Sequence, residues 1–201
     1  MNIFLRAEVQ CTDGAGGNAT ALVLDPATNV ATHLVIDPKG HGHDEYLLPL
    51  DLVAESSAKR IDVRCSRAEL DQLAPFTTMV QVESQGLDTM DAQALMGAES
   101  HSGIGFQDFS FAGAGSSEMV EVEAIPESEL AVRHGIPVEA TDGKAGKVDG
   151  FAIDPETRRI THLVLCEGHL FTKKDVEIPV SEIDRLGELT VYLNIPKAAA
   201  K

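Results

Sequence analysis

Apolar and polar positions alternate along this chain in short runs, not at the three-to-four spacing of helices, and Asp-Gly and Asp-Pro pairs cut the runs apart. Gly accepts positive φ and Pro fixes φ, so these pairs mark turns, and the β-branched and aliphatic residues between them suit strands. The pattern predicts strands over Leu5–Cys11, Ala19–Leu24, Thr32–Ile36, Tyr46–Leu50 and Ile61–Cys65. Leu22 and Leu24 fall on one face of the second of these and Val23 on the other. Pro49 cannot donate to a ladder, which places its strand at a sheet edge or at a bulge. Ser66 and Glu69 have capping-box spacing and predict one short helix, stopped by Pro75. A second series follows over Ile136–Ala140, Lys147–Ile153, Ile160–Leu165, Val176–Val180 and Leu189–Leu193.

The two series are one pattern written twice. Asp25-Pro26-Ala27-Thr28 and then Thr32-His33-Leu34-Val35-Ile36 return 129 positions later as Asp154-Pro155-Glu156-Thr157 and Thr161-His162-Leu163-Val164-Leu165. Val9, Thr12, Asp13, Gly14 and Gly17 match Val138, Thr141, Asp142, Gly143 and Gly146 at the same displacement. Pro179 answers Pro49 one position later, because the loop Glu167–Lys174 has gained a residue. No clear partner to the first helix is expected before the chain ends at Lys197-Ala198-Ala199-Ala200-Lys201. The organisation read from this is a first domain over 1–76, a linker over 77–130 and a second domain over 131–201. Domains this small bury little, and a closed or nearly closed barrel is the all-β solution that also removes most unpaired edges. With 4% aromatics and no Trp, the cores must be aliphatic.

Charge separates the linker from the rest. Of the net −16, residues 77–130 carry ten acids and no base, while 131–201 are nearly neutral. A chain with this field repels phosphate, so no nucleic acid and no anionic lipid surface is expected as partner. No apolar stretch is long enough for a signal peptide or a membrane span, so no membrane insertion and a cytoplasmic location are expected. Cys11, Cys65 and Cys166 are not shared between the repeats and read as reduced apolar fillers. The linker resembles a partly disordered tether, flanked by two similar runs, Met79–Glu83 and Met119–Glu123, that read as short strands. Inside it Phe106, Phe109 and Phe111 form an aromatic island that either docks on one of the barrels or waits for a partner.

Candidate chemistry is sparse. His33 and His162 repeat, but neither has a Cys, Asp or Glu at a recognisable ligand spacing, and both read as structural strand histidines. His41, His43, Asp44 and Glu45 could capture a divalent cation, yet the copy at His169 keeps one His and lacks the acids. There is no nucleophile motif, and Gly14-Ala15-Gly16-Gly17 leads into a strand, not into a helix N-terminus that would hold phosphate. No enzyme, no cofactor and no metal site is read here. Arg158, Arg159, Lys173 and Lys174 sit in turns of the second unit where the first has no such bases, and they are the surface on which the acidic linker and its three phenylalanines would dock.

With these residues in view, each unit resembles a PRC-barrel domain, the six-stranded module shared by the H subunit of photosynthetic reaction centres and the C-terminal domain of a bacterial ribosome maturation factor. The resemblance rests on Val138–Val148, Asp154-Pro155, Thr161-His162-Leu163-Val164, Ile178-Pro179-Val180 and Ile183, and the first unit follows it more loosely at Gly16-Gly17-Asn18-Ala19. It implies two small PRC-type β-barrels of about six strands joined by an acidic flexible linker, in a bacterial adaptor or assembly protein that binds other proteins. The alternative reading is a small-ligand or metal-binding regulatory protein using the loops around His41 and His169. Ribosome maturation and photosynthetic electron transfer are not inherited, since the parts that accompany the barrel in those proteins are missing.

Overall fold

The computed structural model describes residues 1–38, 45–83, 117–167 and 174–200, and in these the chain is all-β. The first repeat runs β1 (Asn2–Phe4), β2 (Glu8–Cys11), β3 (Gly14–Asp25), β4 (Val30–Asp37), β5 (Tyr46–Pro49), β6 (Val53–Ser56) and β7 (Arg60–Val63), then the helix α1 (Arg67–Leu70). β8 (Thr77–Glu83) and β9 (Ser117–Glu123) come next. The second repeat runs β10 (Leu130–Arg133), β11 (Pro137–Ala140), β12 (Gly143–Ile153), β13 (Ile160–Glu167), β14 (Lys174–Pro179), β15 (Ile183–Arg185) and β16 (Val191–Leu193). Every predicted strand is present, together with the short β1, β6, β10 and β15 that alternation alone did not mark.

Each repeat builds a seven-stranded sheet, and the two have the same order: β5-β4-β3-β2-β7-β6 with β10 beside β3, and β14-β13-β12-β11-β16-β15 with β1 beside β12. β2 with β7 and β11 with β16 are parallel; the other pairs are antiparallel. Pro49 and Pro179 lie on the terminal strands of their sheets, opposite His33 and His162, where a missing N–H costs least. Among the described residues neither strand order returns to its start, so the closed barrel expected from the size argument is not formed by these hydrogen bonds.

The repeats exchange their first strands. Asn2, Ile3 and Phe4 pair with Ala152, Phe151 and Gly150 of the second repeat, and Ala131, Val132 and Arg133 pair with Val23, Leu22 and Ala21 of the first. The register is the same in both directions. Leu5 N–H donates to Asp149 O at 2.8 Å and His134 N–H to Thr20 O at 2.9 Å, again at equivalent places. The strand expected over Leu5–Cys11 is therefore shortened to β2, with β1 before it: the N–H groups of Arg6 and Ala7 both turn back to Phe4 O, and the chain passes there from one sheet to the other. Ile3, Leu5, Ala7 and Val9 alternate inward along that crossing and are all buried. Buried side chains of both repeats consequently form one continuous cluster, which contains Ile3, Leu22, Leu34, Val132, Phe151 and Leu163. Both repeats fall in one compact unit, Met1–Thr77 with Glu123–Lys201, and Thr78–Val122 forms another.

The repeated Asp-Pro-x-Thr motif makes the seam between repeats. Asp25 accepts from Ala27 N at 2.8 Å and from Thr28 Oγ1 at 2.8 Å, and Asp154 accepts from Glu156 N at 2.9 Å, so each carboxylate closes an Asx turn. The turns end at Asn29 and Arg158 with φ of 55° and 58°. Those left-handed residues present their carbonyls to the opposite repeat: Ile160 N donates to Asn29 O at 2.8 Å and Ala31 N to Arg158 O at 3.0 Å, on either side of a Val30–Arg159 bridge.

The repeated Gly17 and Gly146 have a steric reason. A Cβ on Gly17 would lie 2.1 Å from Asp37 O, and one on Gly146 would lie 2.8 Å from Cys166 O, the equivalent carbonyl. Ser66 and Glu69 form the predicted capping box. Its counterpart in the second repeat does exist, as a turn: Ala199 N donates to Pro196 O and Ala200 N to Lys197 O, and Lys197 N–H is held by Asp142 at 2.9 Å as Arg67 N–H is held by Asp13 at 2.8 Å. The sequence conceals it because Pro196 replaces the capping Ser66 and small alanines replace Glu69 and Leu70.

Candidate functional site

Leu22 and Leu24 enter the shared core, whereas Val23 faces the other way, as the alternation predicts, and belongs to a second, smaller cluster with Ala21, Val35, Leu47, Phe76 and Ala131. That outer cluster fixes both ends of the intervening segment to the first repeat. Leu47 N donates to Ala74 O, Phe76 N to Glu45 O, and Ala124 N to Phe76 O at 2.6 Å, so the chain leaves and re-enters through adjacent backbone positions. Full burial of a ring such as Phe76 is worth about 1.5–3 kcal/mol.

Arg133 closes this anchor. Its guanidinium grips Glu45 through both terminal nitrogens at 3.2 and 3.0 Å, approaches Glu123 at 3.8 Å and lies 5.0 Å over the Phe76 ring, while Thr20 Oγ1 donates to Glu45 at 2.7 Å. Burial pushes the Glu123 carboxyl above its usual range, opposed by Arg133 and assisted by Glu188 and Glu45. With two carboxylates and a ring around one guanidinium, the cluster is suited to holding a chain crossing. Nothing in the sequence pointed to Arg133, because its equivalent in the first repeat is Phe4.

Between these anchored ends, β8 and β9 form a sheet of two strands, the pair of strands read from Met79–Glu83 and Met119–Glu123. Its described apolar side chains are uncovered. Met79 and Met119 are each 55% exposed, and Val80, Val120 and Val122 are exposed as well, in a stretch with no basic residue. Two-stranded sheets are marginal in water, and one that exposes apolar side chains on both of its strands gains stability from any surface that covers them.

The other candidates fare differently. Arg158 Nη2 meets Asp51 at 2.9 Å, and Arg159 lies at the seam, its carbonyl accepting from Asp154 N. Lys174 opens β14 opposite Glu167. Phe106, Phe109, Phe111 and Lys173 lie outside the described residues, as do His41, His43, Asp44 and His169. His33 and His162 occupy matched register positions opposite Pro49 and Pro179, and His162 Nδ1 lies 3.1 Å from Thr161 Oγ1. Among the described residues no three metal-ligating side chains come together, and no helix is long and apolar enough to cross a membrane. His134 Nε2 approaches Asp149 at 3.3 Å beside the exchanged strand. No known family model matches the chain, and no curated protein matches it either.

Proposed function

We propose that this chain is a non-enzymatic protein-binding adaptor whose two repeats are PRC-barrel-type modules. The observation that carries the binding role is the uncovered apolar surface of β8 and β9, held on a segment whose two ends are clamped together at Phe76 and Ala124. Support for the PRC-type reading comes from the repeated Thr-Asp-Gly, Asp-Pro and Thr-His-Leu-Val motifs and from the matching strand order of the two sheets. Acidic residues interleaved with these apolar ones along both strands suit a partner segment that is itself apolar and basic.

The test is a comparison of crosslinked partners recovered from a native lysate with the unaltered chain and with Met79→Ser/Val80→Ser/Met119→Ser/Val120→Ser. The variant should lose one defined partner at least tenfold while keeping the parent circular dichroism spectrum. Equal recovery from both chains would remove β8 and β9 from the binding surface. A saturable calorimetric response to Zn²⁺, Ni²⁺ or a nucleotide that disappears on His41→Ala or His169→Ala would replace the adaptor by a ligand-binding regulator.

A further inference from the structure

The Cys11 and Cys65 thiols are buried in the same cluster of side chains, each close enough to influence the other's charge. The backbone holds them there: Thr12 N–H and Thr12 Oγ1 both donate to Cys65 O, at 3.0 and 3.4 Å. The molecule contains its own control for this corner. In the second repeat Thr141 N donates to Ile195 O at 3.1 Å, so Ala140 stands where Cys11 does and Ile195 where Cys65 does. The fold thus builds the corner without sulfur. Gly16, equivalent to Ala145, has been emptied beside the pair: a Cβ there would sit 2.6 Å from Cys11 Sγ. Gly16 also borders a surface cleft lined by Pro38, Arg67 and Leu70, so only this one small residue stands between the cleft and the Cys11 sulfur.

We propose that Cys11 and Cys65 form a redox site that closes to an intramolecular disulfide in the presence of a hydroperoxide. Burial raises the Cys65 thiol as well, but Cys11 and a backbone N–H oppose that rise, so Cys65 is the less strongly raised of the two and is the attacking sulfur. Its thiolate takes the distal oxygen of hydrogen peroxide: the S–O bond forms, the O–O bond breaks, and hydroxide leaves and is protonated to water. Cys11 sulfur then attacks the Cys65 sulfenic sulfur, the S–S bond forms, and the S–O bond breaks with loss of a second water. Two thiols and one hydrogen peroxide give one disulfide and two waters. Burial pushes the Cys11 thiol up to about 11, opposed by Arg67, so its attack on the sulfenic sulfur is slow at neutral pH and quickens as pH rises. The cross-link would tie β2 to the chain entering α1.

The experiment treats the folded full-length chain with hydrogen peroxide, quenches it, and counts free thiols in denaturant with peptide mass spectrometry alongside. The count is expected to fall from three to one, with a linked Cys11–Cys65 peptide pair two hydrogens lighter than its parts, and to return on reduction. The Cys11→Ala/Cys65→Ile variant copies the pair found in the second repeat and is expected to fold and to keep its single remaining thiol through the same treatment. Retention of all three thiols, oxidation confined to Cys166, or a disulfide that forms only after the chain is denatured would each overturn the proposal.

Discussion

Val30 and Arg159 face each other in an antiparallel bridge, and on either side of it Asn29 and Arg158, both left-handed, hand a carbonyl across to the other repeat. The motif most visible as a repeat in the sequence is therefore the place where the repeats meet. The matched strand exchange lies in the same joint, so each half of the chain completes the other's sheet.

If the chain is cut at a protease site introduced between residues 84 and 116, the halves are expected to stay together. Each supplies a strand and buried residues to the other, and Ile3→Ala alone is expected to cost about 2–5 kcal/mol because Ile3 is fully buried in the shared cluster. Size-exclusion chromatography with light scattering after cleavage should show one particle near 21.5 kDa. Elution as two separately folded halves would show that the exchanged strands are dispensable.

Arg158 offers a way to separate backbone from charge. Its ion pair with Asp51 joins side chains that are 43% and 65% exposed, so Asp51→Ala is expected to change stability by no more than about 1 kcal/mol. A β-branched residue at φ 58° meets the full steric penalty, and Arg158→Val is expected to cost about 1–2 kcal/mol. Arg158→Gly should be nearly neutral. Urea unfolding of the three variants distinguishes the two roles: a larger loss for Asp51→Ala than for Arg158→Val would place the importance of this residue in its charge.

Acid should loosen the two Asx turns. The Thr28 hydroxyl and then the Ala27 N–H hold the Asp25 carboxyl below its usual range, and the Glu156 N–H and then Thr157 do the same for Asp154. An acid whose folded value is depressed binds fewer protons folded than unfolded, so its contribution is complete above the ordinary carboxylate value of about 4 and is lost as pH falls through the folded value. Denaturation midpoints should therefore decline below about pH 4, and the decline should be shallower in Asp25→Asn/Asp154→Asn, which keeps a turn acceptor that does not titrate. A variant profile parallel to the parent would assign the acid limb to other carboxylates, among them Glu69, which its capping bonds to Ser66 also hold low.

Alternation and turn chemistry are local, and what they encode was legible: the strands through Leu22–Leu24 and Leu163–Leu165, the capping box at Ser66, and the terminal strands carrying Pro49 and Pro179. Which sheet a strand joins is not local. Ile3 and Val132 have the inward alternation of any core strand, and nothing in their own sequence says that the core belongs to the other repeat. Arg133 was similarly hidden, since a guanidinium between two carboxylates and a ring looks in sequence like any solvated base. Cys11 and Cys65 are far apart along the chain, and their meeting depends on the parallel pairing of β2 with β7. Comparing them with Ala140 and Ile195 through the repeat register would have marked the corner, but only once the hydrogen bonds at Thr12 and Thr141 fix that register.

The hydrogen bond from Ala124 N to Phe76 O turns everything between those two residues into an insertion at a single point of the first repeat's surface. Because the ends are already held side by side, the length of chain between them is almost invisible to the core: doubling a loop adds only about 0.6 kcal/mol of closure entropy. The segment can therefore lengthen, shorten or change its sequence without disturbing the paired repeats, and its evolution is uncoupled from that of the scaffold.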